Sequence, residues 1–305
     1  MSLSTDELNL LKAVVSLPTA PFCEFHVQDF ILKWAEQTGI AAEQDKCGNM
    51  LLTCPGKGRQ SGMPWVLQAH MDHPGFTVIS RRGKTVQAWF RGGVSESYFP
   101  EARVQFFPRS GTPVEGTVQT ARRDKETGFL RCRIELDEAA RLPKGTLGMW
   151  NLPVWRKSGD RLSLRVADDL CGVASILTAF MRLKASGSKR RVHGLLTRAE
   201  EVGFVGAIAA AKNKLIDPAW PVRGIEASKA QPNARIGQGV VVRVGDATSV
   251  FNPELTSNLR NTARELSLKK ESGFNHVESL MPGGSTESTG LALLGFETCA
   301  VCLPL

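Results

Sequence analysis

From Thr77 to about Arg165 no stretch of this 305-residue chain carries the 3.6-residue apolar spacing of a helix. "TVQAWF", "ARVQFF", "VEGTVQT", "FLRCRIEL" and "RLSLRV" alternate instead, separated by "RRGK", "RSGTP" and "RRDKETG" turns, which is the pattern of a small barrel or sandwich. The flanks behave differently. Residues 1–40 hold two helical patterns, "ELNLLKAVVSL" and "EFHVQDFILKWAEQTG", the first introduced by the capping residues Ser4 and Thr5. "GNMLLTCPGKG" and "PWVLQAH" then read as short strands bounded by Gly and Pro. After Val166 helices ("DDLCGVASILTAFMRLKASG", "VGFVGAIAAAKN") alternate with strands ("RVHGLLT", "PVRGIEAS", "FETCAVCLPL"). The expected fold is α/β, a mixed sheet covered by helices, built from residues 1–76 and 166–305 and interrupted by a small all-β domain at 77–165.

Apolar residues make up 42% of the chain and charged residues 22%, so it can bury an ordinary core. The net charge of +8 raises the question of nucleic acid, but the basic runs "SRRGK", "ARRDKE" and "SKRR" are brief and dispersed, and no RNA-binding or zinc-finger spacing accompanies them. We expect no nucleic-acid partner. No run reaches membrane-spanning length and the N-terminus lacks a signal peptide's basic and apolar regions, so a cytoplasmic protein is expected. The seven cysteines are too scattered for a disulfide framework, and the Cys299-Ala-Val-Cys302 pair lies in an apolar run that reads as a buried strand.

The informative residues are carboxylates. His70 and Asp72, with His73, follow "PWVLQA"; Asp168 and Asp169 follow "RLSLRVA"; Glu200 and Glu201 follow "VHGLLTRA"; Glu226 follows "PVRGI". Each group taken alone has an ordinary reading, a helix cap for the aspartates and a solvated loop for the glutamates. Together they fall at the ends of successive strands, and the crevice beyond the carboxyl ends of such strands is where open α/β sheets bind ligands. Crowded carboxylates repel one another unless cations neutralise them. One histidine with several carboxylates suits zinc, cobalt or manganese, and a shared carboxylate allows two ions about 3.5–4 Å apart. The pair Glu200-Glu201 can supply both a general base and a metal ligand.

"AHMD", an all-β insertion, "ADDLCG", "AEEVGFVGA" and "GIEAS", with the early "DKCGNMLL" and late "PGGSTES", together resemble the tetrahedral and glutamyl aminopeptidase family of co-catalytic zinc exopeptidases, over nearly the whole chain. The resemblance implies His70 as a terminal ligand of one metal, Asp72 as its orienting partner, Asp168 as the carboxylate bridging two divalent ions, Glu200 as general base, Glu201 as a ligand of one metal and Glu226 of the other. It further implies release of N-terminal residues from short peptides, and assembly through the β insertion into a homo-oligomer, often a dodecamer.

The chain departs from that family in several places. A glutamate usual after the HxD is replaced by His73-Pro74, a later aspartate by Glu226, and the usual Thr-Asp by "STES" around Glu287. The family's last histidine ligand follows the final strand, where this sequence ends at "CAVCLPL"; His276 is the remaining late histidine and precedes the Gly283-Gly284 loop. Ending on an apolar strand suggests that the ligand lies beyond Leu305, the other reading being a weakened metal position. Alternative functions are a carboxypeptidase or N-acyl amino acid deacylase of the same clan, or an inactive scaffold that retains the fold.

Overall fold

The computed structural model describes residues 3–54, 56 and 63–305. Its first helix, α1 (Thr5–Val15), begins at a reciprocal cap in which the Ser4 hydroxyl accepts the Glu7 N–H and the Glu7 carboxylate accepts the Ser4 N–H. α2 (Phe25–Thr38) ends at Gly39, whose left-handed backbone (φ 65°) closes the helix. Three strands follow: β1 (Ala41–Gln44), β2 (Met50–Cys54) and β3 (Trp65–His70). The expected strand "GNMLLTCPGKG" is β2 as far as Cys54; Pro55, Lys57 and Gly58 lie outside the described residues.

The next six strands close on themselves. β4 (Gly75–Arg82), β5 (Thr85–Arg91), β6 (Arg103–Phe107), β7 (Val114–Arg123), β8 (Leu130–Leu136) and β9 (Leu147–Trp150) form a barrel in the order β4-β5-β8-β7-β6-β9. Alternate residues point inward, as a two-residue period requires: Val86, Ala88 and Phe90 from β5, and Leu130, Cys132, Ile134 and Leu136 from β8. Four aromatic rings fill its centre, with Phe90 4.9 Å from Phe76, 4.9 Å from Phe99 and 5.5 Å from Trp150 between centroids. "RLSLRV" does not join the barrel. It supplies β11 (Arg161–Leu164), which pairs with β10 (Trp155–Ser158) as a separate ribbon.

The chain then alternates: α3 (Leu170–Ala185), β12 (Val192–Thr197), α4 (Val205–Lys212), β13 (Val222–Ser228), β14 (Val240–Gly245), α5 (Pro253–Leu268), β15 (His276–Leu280), α6 (Glu287–Ala292) and β16 (Thr298–Pro304). The sequence reading passed over β14, α5, β15 and α6. α5 is mostly polar and buries few apolar side chains, Leu255 and Ala263, so no apolar run marks it in the sequence.

Among the described residues eight strands form one sheet, ordered β1-β2-β12-β3-β13-β16-β14-β15. Its centre, β12, β3, β13 and β16, is parallel, and every residue of β12 is buried, as expected of a strand covered on both faces. α1, α2 and α3 cover one face with the larger core; α4 and α6 cover the other through Ala207, Ala210 and Leu291. Parallel strands place their carboxyl ends on one edge, and β3 ends at His70 directly beside Thr197 at the end of β12. No helix among the described residues is long and apolar enough to cross a membrane.

The barrel's aromatic centre gives a direct stability test. Phe90→Ala is expected to lower unfolding free energy by about 3–5 kcal/mol, since the ring is fully enclosed and its neighbours are held by other strands; urea titration followed by tryptophan fluorescence measures it.

Candidate functional site

Beyond the ends of β12, β3 and β13 lies a cleft of about 350 Å³, lined by His70, Asp168, Glu200, Glu201 and Glu226 and also by the basic residues Lys229 and Arg243. His70 closes β3 and is almost inaccessible. Its Nδ1 lies 3.1 Å from the Asp72 carbonyl oxygen, which can only accept, so the proton sits on Nδ1. Nε2 therefore faces the carboxylates, 3.3 Å from Asp168 Oδ1 and 3.9 Å from Glu200 Oε2. One donor atom each from His70, Glu200 and Glu201 lie within 4.8 Å of one another.

Glu200 and Glu201 are neighbours, and on a strand they would point to opposite faces. β12 stops at Thr197, Ala199 turns the chain with a left-handed backbone (φ 52°), and Glu200–Val202 form one 3-10 turn. Phe204, also left-handed (φ 59°), leads into α4. Non-glycine residues in this region cost on the order of 1–3 kcal/mol each and persist only where surrounding contacts hold them. Those contacts are visible. Asp72, wholly buried, accepts the N–H of Glu200 (2.9 Å) and of Glu201 (3.2 Å), one on each carboxylate oxygen. Its carboxylate thus grips the acidic turn, while its carbonyl orients His70. Asn49, from the "DKCGNMLL" stretch, accepts the Arg198 N–H at 3.1 Å and donates to the Gly206 carbonyl at 2.9 Å. A Cβ on Gly206 would collide with the Arg198 backbone, so this crossing requires glycine.

Asp168 and Asp169 arrive by a different route from the one expected. The ribbon strand β11 ends at Leu164 outside the main sheet, and a non-strand segment carries the chain to the start of α3. Asp169 occupies the cap position of α3 without making a side-chain capping bond. It is fully buried instead, packed against Gly172, with Oδ2 accepting the His70 N–H at 3.3 Å. Asp168 keeps its carboxylate at the cleft while its carbonyl accepts from His73 Nδ1 at 2.6 Å. His73 therefore holds the aspartate segment from behind. Glu226 lies within β13 rather than after it, and is 3% exposed. His276 is not brought to the cleft; it opens the edge strand β15, with Nδ1 2.8 Å from Ser267 Oγ.

The sequence reading assigned no part to several residues that build this site. Glu287, noted there only as a departure from a family pattern, is fully buried beneath the cluster, where its Oε2 accepts from Thr197 Oγ1 at 2.5 Å and from Gln68. Arg243, on β14, is 1% exposed, lines the cleft and donates to Ser228 Oγ at 3.0 Å. Only its isolated charge in "VVVRVG" could have drawn attention to it.

The electrostatics follow from this crowding. Burial pushes the Glu201 carboxyl up to about 8, with Asp168 adding to the rise. Burial likewise raises Glu287 to about 8 and Glu226 to about 7, His70 and, for Glu226, Arg243 pulling the other way. Glu200 and Asp169 are raised well above the usual carboxylate range by the same desolvation. For His70 burial works to lower the pKa, but Glu200, Asp168 and Asp72 outweigh it and hold it well above the ordinary value. Asp168 Oδ1, Asp169 Oδ1, Glu226 Oε1 and Glu287 Oε1 are buried with no hydrogen-bond donor. In such a setting a carboxylate is satisfied by a proton or a cation.

Residues 48–304 match the family model of the M42 glutamyl aminopeptidases. The cytosol non-specific dipeptidase of Escherichia coli (strain K12) is 32% identical over 65 residues, which are 21% of this chain and 13% of that enzyme's length. An aminopeptidase from the archaeon Desulfurococcus kamchatkensis superposes with a TM-score of 0.80 at 18% identity, over 98% of this chain and 86% of its own. The Pyrococcus horikoshii TET1 peptidase, which can assemble into a tetrahedron or a large octahedral shell, does so with 0.76 at 17%, over 98% and 91%. At these identities the structural likeness is one of fold.

The carboxyl shifts predict a pH dependence of known sign. Groups whose folded pKa exceeds the unfolded value of 4.5 bind more protons in the folded state, so stability falls as pH rises through the window from 4.5 to about 8. With divalent ions removed by chelator, the melting temperature is expected to drop between about pH 5 and about pH 8.5, and Glu201→Gln to flatten that drop. Differential scanning fluorimetry across this range reads both.

Proposed function

We propose, from the premise that the chain belongs to the M42 glutamyl aminopeptidase family, that it is a metal-dependent aminopeptidase releasing N-terminal residues from short peptides. The observation that carries this reading is the meeting of His70, Glu200 and Glu201 at one point beside Asp168, in a cleft whose carboxylates lack donors. The residues fit a divalent cation. Asp168 Oδ1 and Glu226 Oε1 are buried oxygens without partners, and one imidazole nitrogen with several carboxylates is a donor set for zinc, manganese or cobalt.

In this reading His70, Asp168, Glu201 and Glu226 would hold the divalent ions, and Asp72 orients His70. Once bound, the ions would supply Lewis acidity toward the scissile carbonyl and make a water more acidic. Glu200 serves as the general base. Its raised proton affinity suits a group that takes a proton from the attacking water and passes it to the nitrogen of the leaving amine. The acidic lining attracts the ammonium group of a peptide N-terminus.

Lys229 and Arg243, which also line the cleft, favour a second reading, an exopeptidase or deacylase that recognises a substrate carboxylate. Comparing hydrolysis of free-amine and N-acylated peptides separates the two. We also read the chain as a homo-oligomer assembled through its barrel; light scattering of the purified protein tests that assembly.

Glu200→Gln is expected to lower kcat by a factor of ~10³ or more with metal content unchanged, because the amide keeps the shape and loses the base. Asp168→Ala is expected to lose bound metal as well as activity. Peptidase kinetics paired with elemental analysis of each variant check both outcomes, and full activity in either removes that residue from its role.

A further inference from the structure

Glu24 stands at the N-cap of α2 and does not cap it. Its side chain is fully buried and turned toward another element, where Oε1 accepts the N–H of Ala199 at 3.0 Å and of Phe22 at 2.9 Å. Oε2 accepts from Arg198 Nε at 2.6 Å and is also 2.6 Å from the second fork nitrogen. The remaining guanidinium nitrogen donates to the Cys47 carbonyl at 2.6 Å. Glu24 thus touches both residues that precede Glu200, including the left-handed Ala199 at which the chain reverses. Nothing else among the described residues binds the Ala199 N–H.

The position of this carboxylate is unusual for a structural ion pair. Burying it carries a desolvation penalty, increased by the nearby negative charge of Asp72, and the Arg198 guanidinium offsets it. An apolar contact would join α2 to this turn without that penalty. What the carboxylate adds is direction: Oε1 accepts the Ala199 N–H while Arg198 pins Oε2, and the oriented carboxylate fixes that peptide and with it the two side chains that follow.

We infer that Glu24, acting with Arg198, is a positioning residue for the reaction: it holds the Ala199 turn so that Glu200 meets the cleft at a fixed place, while Asp72 holds the same turn from the other side. The inference rests on the reading of Glu200 as base given above. Misplacement of a reacting group by about 1 Å is enough to cost ~100-fold in rate. Loosening the Glu24 clamp therefore acts on turnover more than on substrate binding, because it moves the base and removes no group that contacts the peptide.

The test is Glu24→Gln in the full chain loaded with metal, read in two ways. Steady-state kinetics on a free-amine peptide are expected to show kcat lower by ~10- to 100-fold with KM within about threefold. Amide hydrogen exchange is expected to quicken at residues 199–201 and to stay unchanged in the barrel and in α1. A smaller loss of kcat, a loss carried by KM, or unchanged exchange at those amides overturns the inference. If the wild-type protein cleaves no peptide, the proposed function fails and exchange alone decides: faster exchange at Ala199 in the variant upholds the clamp, and no change rejects it. Should Glu24→Gln fail to fold, Arg198→Lys is measured by the same two readouts, because lysine keeps the charge and cannot bridge Glu24 and the Cys47 carbonyl with a planar fork.

Discussion

One buried imidazole faces a group of crowded carboxylates, and much of the molecule answers to that arrangement. Asp168, Glu200, Glu201 and Glu226 surround Nε2 of His70, with Asp169 and Glu287 behind them. Left to themselves such groups would separate or take up protons, because burial and mutual repulsion both disfavour the charged form. They stay together because each is fixed by backbone geometry decided elsewhere: the end of β3, the turn after β12, the interior of β13 and the first residues of α3. The energy that holds the cluster together is therefore drawn from the cores on both faces of the sheet, not from the site itself.

The acidic turn is the most constrained of these pieces. Two carboxylates hold its backbone, Asp72 through the N–H groups of Glu200 and Glu201, and Glu24 through that of Ala199. Asn49 and Gly206 close the remaining sides. The two left-handed residues, Ala199 and Phe204, lie at the ends of this short segment, and the strain they carry is sustained by the surrounding hydrogen bonds. Contacts come from residues 24, 49 and 72, so a single turn depends on three separated parts of the chain.

The fold was legible where burial imposes a period. Strands β3, β12, β13 and β16 are apolar runs because both their faces are covered, and β5 and β8 alternate because only one face of a barrel wall is buried. α5 escaped notice because it is mostly polar, and β11 was grouped with the barrel because "RLSLRV" alternates in sequence although its strand is mostly exposed. Within the site, His70, Asp168, Glu200, Glu201 and Glu226 could be singled out because each stands at or near the edge of an apolar run. Glu24, Gln68, Arg243 and Glu287 could not. An isolated glutamate before a helix looks like any surface residue until the partner that buries it is known.

The alternation of the apolar strands and helices, the all-β interruption and the acidic groups beside apolar runs were thus written in local patterns, which burial imprints on a chain one element at a time. Which side chains meet was decided by tertiary structure alone. Pairing β3 beside both β12 and β13 brings together residues more than a hundred positions apart, and the turn at Ala199 places two consecutive glutamates on one side. Even the hydrogen-bonding duties of Asp72 follow from that pairing, because a carboxylate serves whichever donors the fold presents to it.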